Sequence, residues 1–369
     1  MIAVHADVVG SLLRPPKLLQ AQEDLAAGRI TPVQFKAFED RAVDAAIALQ
    51  EEAGMEVVTD GEMRRLSFQS QMTQAVEGFG EWDIDAFLWG RWNGDETVGD
   101  RSAERPAKLG VIGKLRRKRH LCAEEFVYLR GRTRQIAKVT LPSPGLFANF
   151  WSAERSRGAY ATLERFLADI GTILREEVEE LVRLGATYIQ IDAPHYPLLL
   201  EPATRAFYEA RGWTLDQWLD LGIELDNAVM KGLAGVTFGF HLCRGNQGSR
   251  WLVEGAYDLI AKPIFEGIRA DRFLLEYDDE RSGSFDALRY VPDDRMVVLG
   301  LVTTKRPGLE DPEDLVRRIE EAGRFVPLER LALSPQCGFS TSIVGNNLSV
   351  EDEECKLRLI CDTARRVWQ

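Results

Sequence analysis

No stretch of this chain is apolar over the about 20 residues that a membrane-spanning helix requires. The N-terminus, Met-Ile-Ala-Val-His-Ala-Asp, has neither the basic start nor the apolar core of a secretory signal. These absences predict a cytoplasmic protein with no membrane partner. A cationic excess is also missing: at a net charge of -12 the chain lacks the clustered positive charge that binding to a phosphate backbone needs, so no nucleic-acid partner is expected. No glycine-rich fingerprint follows the first apolar run, which argues against a dinucleotide fold. Cysteines are few and odd in number. Cys122, Cys243, Cys337, Cys355 and Cys361 are scattered along 369 residues, unlike a disulfide framework. Reduced thiols are expected, and reduced thiols can hold metal.

What is present is an alternation of apolar runs and amphipathic stretches. Residues 4–11 read as a first strand ending in Gly10-Ser11, followed by a basic, proline-containing connection. Thr31-Pro32 predicts a capped helix that runs to Gly54. Residues 55–59 form a second strand ending in Asp60-Gly61-Glu62. The stretch 66–134 breaks the rhythm and reads as an insertion between strands two and three, with a hairpin inside it. Further strands are expected at 135–140, 187–192, 236–245, 272–279, 296–305 and 331–337. Helices are expected at 160–184, 204–233, 251–268, 311–323 and 351–368. This alternation implies a parallel sheet, and eight units predict an α/β fold closed as a (β/α)8 TIM barrel, one domain over 1–369. An open doubly wound sheet is the alternative.

Barrel active sites lie where the strands end. Here those ends carry Ser11, Glu62, Asp192, His241, Cys243, Glu276, Lys305 and Cys337. His241 and Cys243 are two apart on a strand, so both point to the same face. Glu276 follows one strand later and Cys337 two strands after that. Singly, each has an ordinary explanation, since a lone cysteine in an apolar run is usually a small buried hydrophobe; Cys122, Cys355 and Cys361 keep that reading. Together they predict a zinc site spread over several strands, unlike a closed structural site with four neighbouring ligands. Two thiolates neutralise most of the zinc charge and favour a soft incoming ligand. A thiol bound to such a centre is ionised at neutral pH, so zinc-dependent thiol alkylation is the expected chemistry.

At these residues the chain resembles the catalytic module of cobalamin-independent methionine synthase, in particular its short single-barrel homologues. The resemblance rests on Ala6-Asp-Val-Val-Gly-Ser-Leu-Leu-Arg14, Thr59-Asp-Gly-Glu-Met-Arg-Arg65, Ile189-Gln-Ile-Asp192, His241-Leu-Cys-Arg-Gly-Asn246, Phe273-Leu-Leu-Glu276 through Gly283, and Leu333-Ser-Pro-Gln-Cys-Gly-Phe339. It implies a zinc methyltransferase acting on the thiol of homocysteine, with zinc on His241, Cys243, Glu276 and Cys337. The homocysteine amino and carboxylate groups would lie near Ser11, Glu62 and Asp192. The methyl donor implied is 5-methyltetrahydrofolate in its polyglutamate form, and Phe150 and Trp151 fall near an aromatic that stacks on the pterin in the family. Two departures stand out. There is no room for the additional N-terminal barrel that helps bind the folate tail in the full-length enzyme. Where the family has a proton-donating histidine, this chain reads Thr303-Thr-Lys305, which makes Lys305 the candidate acid.

Two other readings compete. A zinc thiol alkyltransferase of the epoxyalkane:coenzyme M transferase kind would need a cationic pocket for its sulfonate. A non-catalytic zinc-stabilised binding protein would have no reason to bring Glu62 and Asp192 together. The basic run Lys114–His120 suits a polyglutamate tail, a sulfonate or a phosphate, or more simply an exposed turn or strand edge. Trp82, Trp89 and Trp92 suit a flat donor or the packing of a lid. His195 is expected near the mouth, as a proton donor or, more simply, a hydrogen-bonded loop histidine, and a homo-oligomer is compatible with the chain.

Overall fold

The computed structural model describes residues 2–81, 92–94 and 109–369. Proline sets the start of the first two helices. Pro16 opens α1 (Pro16–Ala26), in the stretch read from sequence as a connection, and Pro32 opens α2 (Pro32–Ala53). The Thr31 side chain accepts the Gln34 N–H while the Gln34 side chain accepts the Thr31 N–H, a reciprocal cap worth about 1 kcal/mol. Gly54, at φ +93°, ends α2 in the left-handed conformation that glycine adopts without penalty.

The chain continues through β1 (Val57–Val58), α3 (Ser70–Ala75), β2 (Val76–Glu81), β3 (Leu109–Arg117), α4 (Ala123–Arg130), β4 (Ile136–Pro142), α5 (Leu163–Arg183) and β5 (Tyr188–Asp192). After it come α6 (Pro202–Glu209), α7 (Leu215–Met230), β6 (Thr237–Leu242), α8 (Asp258–Gly267) and β7 (Arg272–Glu276). The last elements are β8 (Met296–Val302), α9 (Pro312–Ala322), β9 (Leu331–Pro335) and α10 (Val350–Trp368). Strands β1 and β4 to β9 form a curled seven-stranded parallel sheet in the order β1-β4-β5-β6-β7-β8-β9, while β2 and β3 pair antiparallel as a separate hairpin within 66–134.

Residues 4–11 do not form a ladder strand. Their contact with β9 is an isolated parallel bridge between Ala6 and Leu333. On the other side Leu12 N–H donates to Gly61 O at 3.0 Å and Thr59 Oγ1 to Gly10 O at 2.6 Å. The reason lies in side chains that take the backbone groups a ladder would use: Lys138 Nζ binds Val8 O, and Gln190 Nε2 donates to Val9 O at 2.8 Å. The helix expected over 204–233 is also divided, into α6 and α7, at Gly212 with φ +86°. The helix expected from 251 begins only at Asp258, because the carbonyl of Gly255 (φ +121°) turns to accept the Arg244 guanidinium.

The main apolar core lies between the sheet and its helices, and a separate cluster of Leu274, Met296, Val298 and Ala332 fills the inner face. At the N-terminal end of that inner face Asp7 is buried against Lys138 (3.0 Å), Arg272 (3.4 Å) and the Tyr188 hydroxyl (2.6 Å). Burial alone would raise the Asp7 pKa, but Lys138 and Arg272 outweigh it and hold the carboxyl low. Alternation along each strand then carries Gln190 and Asp192 above Tyr188, His241 above Gly239, and Glu276 above Arg272. The inner face therefore runs from a buried ion cluster, through an apolar layer, to the polar ends of the strands.

Candidate active site

A cavity of about 600 Å³ opens at the C-terminal ends of the strands. Ser11, Glu62, Phe150, Asp192, His241, Cys243 and Cys337 all line it, so seven of the residues singled out in the sequence meet there. Trp92 lines it too, whereas Trp82 and Trp89 lie outside the described residues.

His241, Cys243 and Cys337 offer ligand atoms that all lie within 4.8 Å of one another, and all three side chains are buried. His241 Nδ1 is 3.2 Å from Leu274 O, which makes it the protonated nitrogen; Nε2 then has a free lone pair and no hydrogen-bond partner among the described residues. Hydrogen bonding from Cys337 holds the Cys243 thiol well below its usual pKa despite burial. One imidazole lone pair and two sulfurs, one readily ionised, make a donor set able to hold a borderline or soft divalent ion.

Glu276 is not within that group. Its Oε2 accepts the Arg244 backbone N–H at 2.6 Å, and its Oε1 lies 2.6 Å from Arg281 and 3.2 Å from Lys305 Nζ. Burial opposes its charge, but Lys305, Arg281 and Arg244 prevail and lower its pKa to about 2. Lys305 also reaches Asp278 at 3.4 Å, so it is a paired, buried lysine.

Glu62 and Asp192 bring two buried carboxylates to the cavity wall. Glu62 has φ +56°, a left-handed conformation uncommon outside glycine, and directly follows Gly61 at φ +67°. Its Oε1 accepts the Thr140 hydroxyl at 2.6 Å with Arg65 3.6 Å away, and its Oε2 has no partner among the described residues. Asp192 is the register partner of His241 across β5 and β6, and accepts Gln190 Nε2 at 2.6 Å. Burial raises its pKa to about 7, with His241 and Gln190 opposing and Glu62 adding to the rise. Ser11 is packed against Gly338, where a Cβ would come within 2.0 Å of its hydroxyl, so only glycine allows the approach.

The chain matches the family described as "Cobalamin-independent synthase, Catalytic domain" over residues 5–350. It belongs to that family. It is 34% identical over 368 residues to a Bacillus subtilis protein named "Uncharacterized protein YxjH", covering 99% of this chain and 95% of that one. It is 28% identical over 332 residues to a methionine synthase of Pyrococcus abyssi, covering 90% and 85% of the two chains. The crystal structure of a Listeria monocytogenes protein described as the "Putative Vitamin-B12 Independent Methionine Synthase" superposes with a TM-score of 0.73 at 25% identity, covering 100% of this chain and 99% of that one.

Within this cobalamin-independent synthase domain several sequence expectations fall elsewhere. Trp151 does not line the cavity; its indole donates to Tyr160 O at 3.0 Å. His195 is buried against Tyr196 with no hydrogen-bond partner among the described residues, and burial lowers its pKa to about 3, so it is neutral at physiological pH. The basic run pairs with nearby acids: Arg116 with Glu77, Arg117 with Glu176 at 2.9 Å, and Lys114 with Asp169 at 3.7 Å. It is a charge-matched strand and turn, the exposed strand edge among the readings of the sequence, rather than an open cationic patch. Sequence reasoning passed over Thr140, Gln190 and Arg65, which surround the two carboxylates. The signal for Gln190 was its place two residues before Asp192 in an apolar strand, on the same face. Among the described residues no helix is long and apolar enough to cross a membrane.

Proposed function

We propose that this protein is a zinc-dependent methyltransferase that moves a methyl group to the thiol of homocysteine. The observation that carries the reading is the meeting of a His/Cys/Cys ligand set and two carboxylates on one cavity. His241, Cys243 and Cys337 would hold the ion, with Glu276 the fourth donor once freed from Arg281 and Lys305. Bound there, zinc supplies the charge that keeps a substrate thiol ionised at neutral pH.

The chain's own residues do the remaining work. Glu62, with Oε2 free, and Asp192 receive the substrate ammonium, and the Ser11 hydroxyl receives its carboxylate. Leu66, Phe68, Trp92, Leu146 and Phe150 give the cavity an apolar, aromatic wall suited to a flat donor such as 5-methyltetrahydrofolate. As the S–CH3 bond forms and the donor's N–CH3 bond breaks, the leaving nitrogen needs a proton, and Lys305 is the candidate to deliver it. In this reading residues 4–11 close the seven ladder strands into a (β/α)8 barrel, and 1–369 is one domain with 66–134 inserted. The same reading places the enzyme in the cytoplasm.

A sulfonate-bearing thiol is disfavoured, since Glu62 and Asp192 would repel it. The proposal is tested by zinc-edge X-ray absorption with and without homocysteine, together with growth of a methionine auxotroph expressing the protein. A new sulfur neighbour on adding homocysteine and growth on homocysteine are expected. An unchanged coordination shell would refute thiol activation, and failure to grow would refute methionine synthesis.

A further inference from the structure

Strands β1 and β9 are the two ends of the ladder-paired sheet, and between their C-terminal ends lies the side chain of Arg14. Its Nη1 donates to Ser340 O at 2.7 Å, Ser340 Oγ at 2.8 Å and Ser342 O at 3.2 Å. Its Nη2 donates to Glu62 O at 3.0 Å and Arg65 O at 2.9 Å. Among the described residues it forms no ion pair within 4.0 Å: every acceptor it meets is neutral, although the guanidinium is buried. Taking such a charge out of water is costly, and five bonds to loop oxygens with none to a carboxylate are a poor way to secure stability alone. The arrangement does fix geometry. One face of the fork holds the turn after β1, which carries Glu62 in its left-handed conformation. The other holds the segment after Cys337, which also receives Ser11: Phe339 N–H donates to Ser11 O at 2.8 Å and Ser340 N–H to Ser11 Oγ at 3.4 Å.

We propose that Arg14 is a positioning residue, a clasp across the seam between β1 and β9 that sets Glu62 and Ser11 at the distance the amino-acid end of the thiol substrate needs. Its planar fork is what allows one side chain to serve both loops at once; an ammonium has no such geometry. The substrate part of this inference rests on the function proposed above, whereas the clasp itself does not.

The test compares Arg14→Ala and Arg14→Lys with the wild-type holoenzyme. Amide hydrogen exchange on unliganded protein is expected to rise about tenfold or more at 61–66 and 338–343 in Arg14→Ala, with other segments unchanged. The KM for homocysteine is expected to rise about tenfold or more while kcat stays within a few-fold and zinc content is retained. Guanidinium ion at millimolar concentration should lower that KM again, and Arg14→Lys should recover only part of the loss. Exchange that rises throughout the chain or nowhere, or a wild-type KM in Arg14→Lys, overturns the clasp. Failure of both variants to fold also overturns it, by assigning Arg14 to global stability. If the wild-type protein takes no homocysteine, the functional reading fails while the exchange measurement still decides the clasp.

Discussion

Lys305 Nζ lies 3.2 Å from Oε1 of Glu276, so the residue expected to deliver a proton and the residue expected to complete the metal site are paired with each other. Arg281 holds the same oxygen, and the Arg244 N–H holds the other. The carboxylate is thus kept ionised beside the His/Cys/Cys group by cations that compete for it. A ligand held this way can be given up without leaving a bare buried charge, because its cationic partners are already in place.

Replacing Lys305 separates its two roles. Lys305→Met is expected to lower kcat by about a hundredfold, the usual scale for loss of a general acid, with the KM for the thiol nearly unchanged. Zinc content should be retained, since Arg281 and the Arg244 N–H still orient Glu276. Steady-state kinetics with metal analysis checks this, and an unaltered kcat would remove Lys305 from the mechanism.

Cys337 tests the ligand set. Its thiol is one of three donor groups within 4.8 Å of one another, so Cys337→Ser exchanges a soft donor for a poor one. Zinc affinity measured by chelator competition should fall by more than about a hundredfold, beyond the loss typical of a supporting residue. Full zinc occupancy together with full activity would show that the ion is held elsewhere.

Glu62 tests substrate recognition apart from the metal. Glu62→Gln keeps the shape and the Thr140 hydrogen bond but removes the charge facing the substrate ammonium. An increase of about tenfold or more in the homocysteine KM is expected, with zinc content unaffected.

Glu353 should shape the dependence of stability on pH. It is buried on α10, its Oε1 accepts the Leu13 N–H at 2.9 Å, and burial raises its pKa from 4.5 to about 8. The folded state therefore binds this proton more tightly than the unfolded chain. The stabilisation is complete below about pH 4.5 and is lost as pH rises towards about 8. Thermal unfolding between pH 5 and pH 8 should show Tm falling with pH in the wild type and a shallower fall in Glu353→Gln. Parallel profiles for the two would show that Glu353 titrates normally.

Much of this architecture was legible in one dimension because it follows from local rules. Thr31-Pro32 and Gly54 bound α2 through capping and glycine conformation, which need no tertiary partner. The alternation of apolar runs with amphipathic helices set a parallel sheet, and the period of two in a strand put His241 beside Cys243 and Gln190 beneath Asp192. Two of the boundaries that failed were set by distant side chains. Arg244 turns Gly255 and delays α8, and Lys138 and Gln190 draw the carbonyls of Val8 and Val9 out of any ladder.

The residue types and spacing along the chain determined that thiols, an imidazole and carboxylates would end their strands on one side of a sheet, since side-chain direction in a strand is a property of the backbone. Only the folded molecule decided which of those groups meet. Cys337 joins His241 and Cys243 while Glu276 is held by Lys305 and Arg281, and Phe150 faces the cavity while Trp151 turns to Tyr160. Those choices depend on which buried charges and hydrogen-bonding groups can satisfy one another across strands far apart in sequence, a matter of distances that no local pattern encodes.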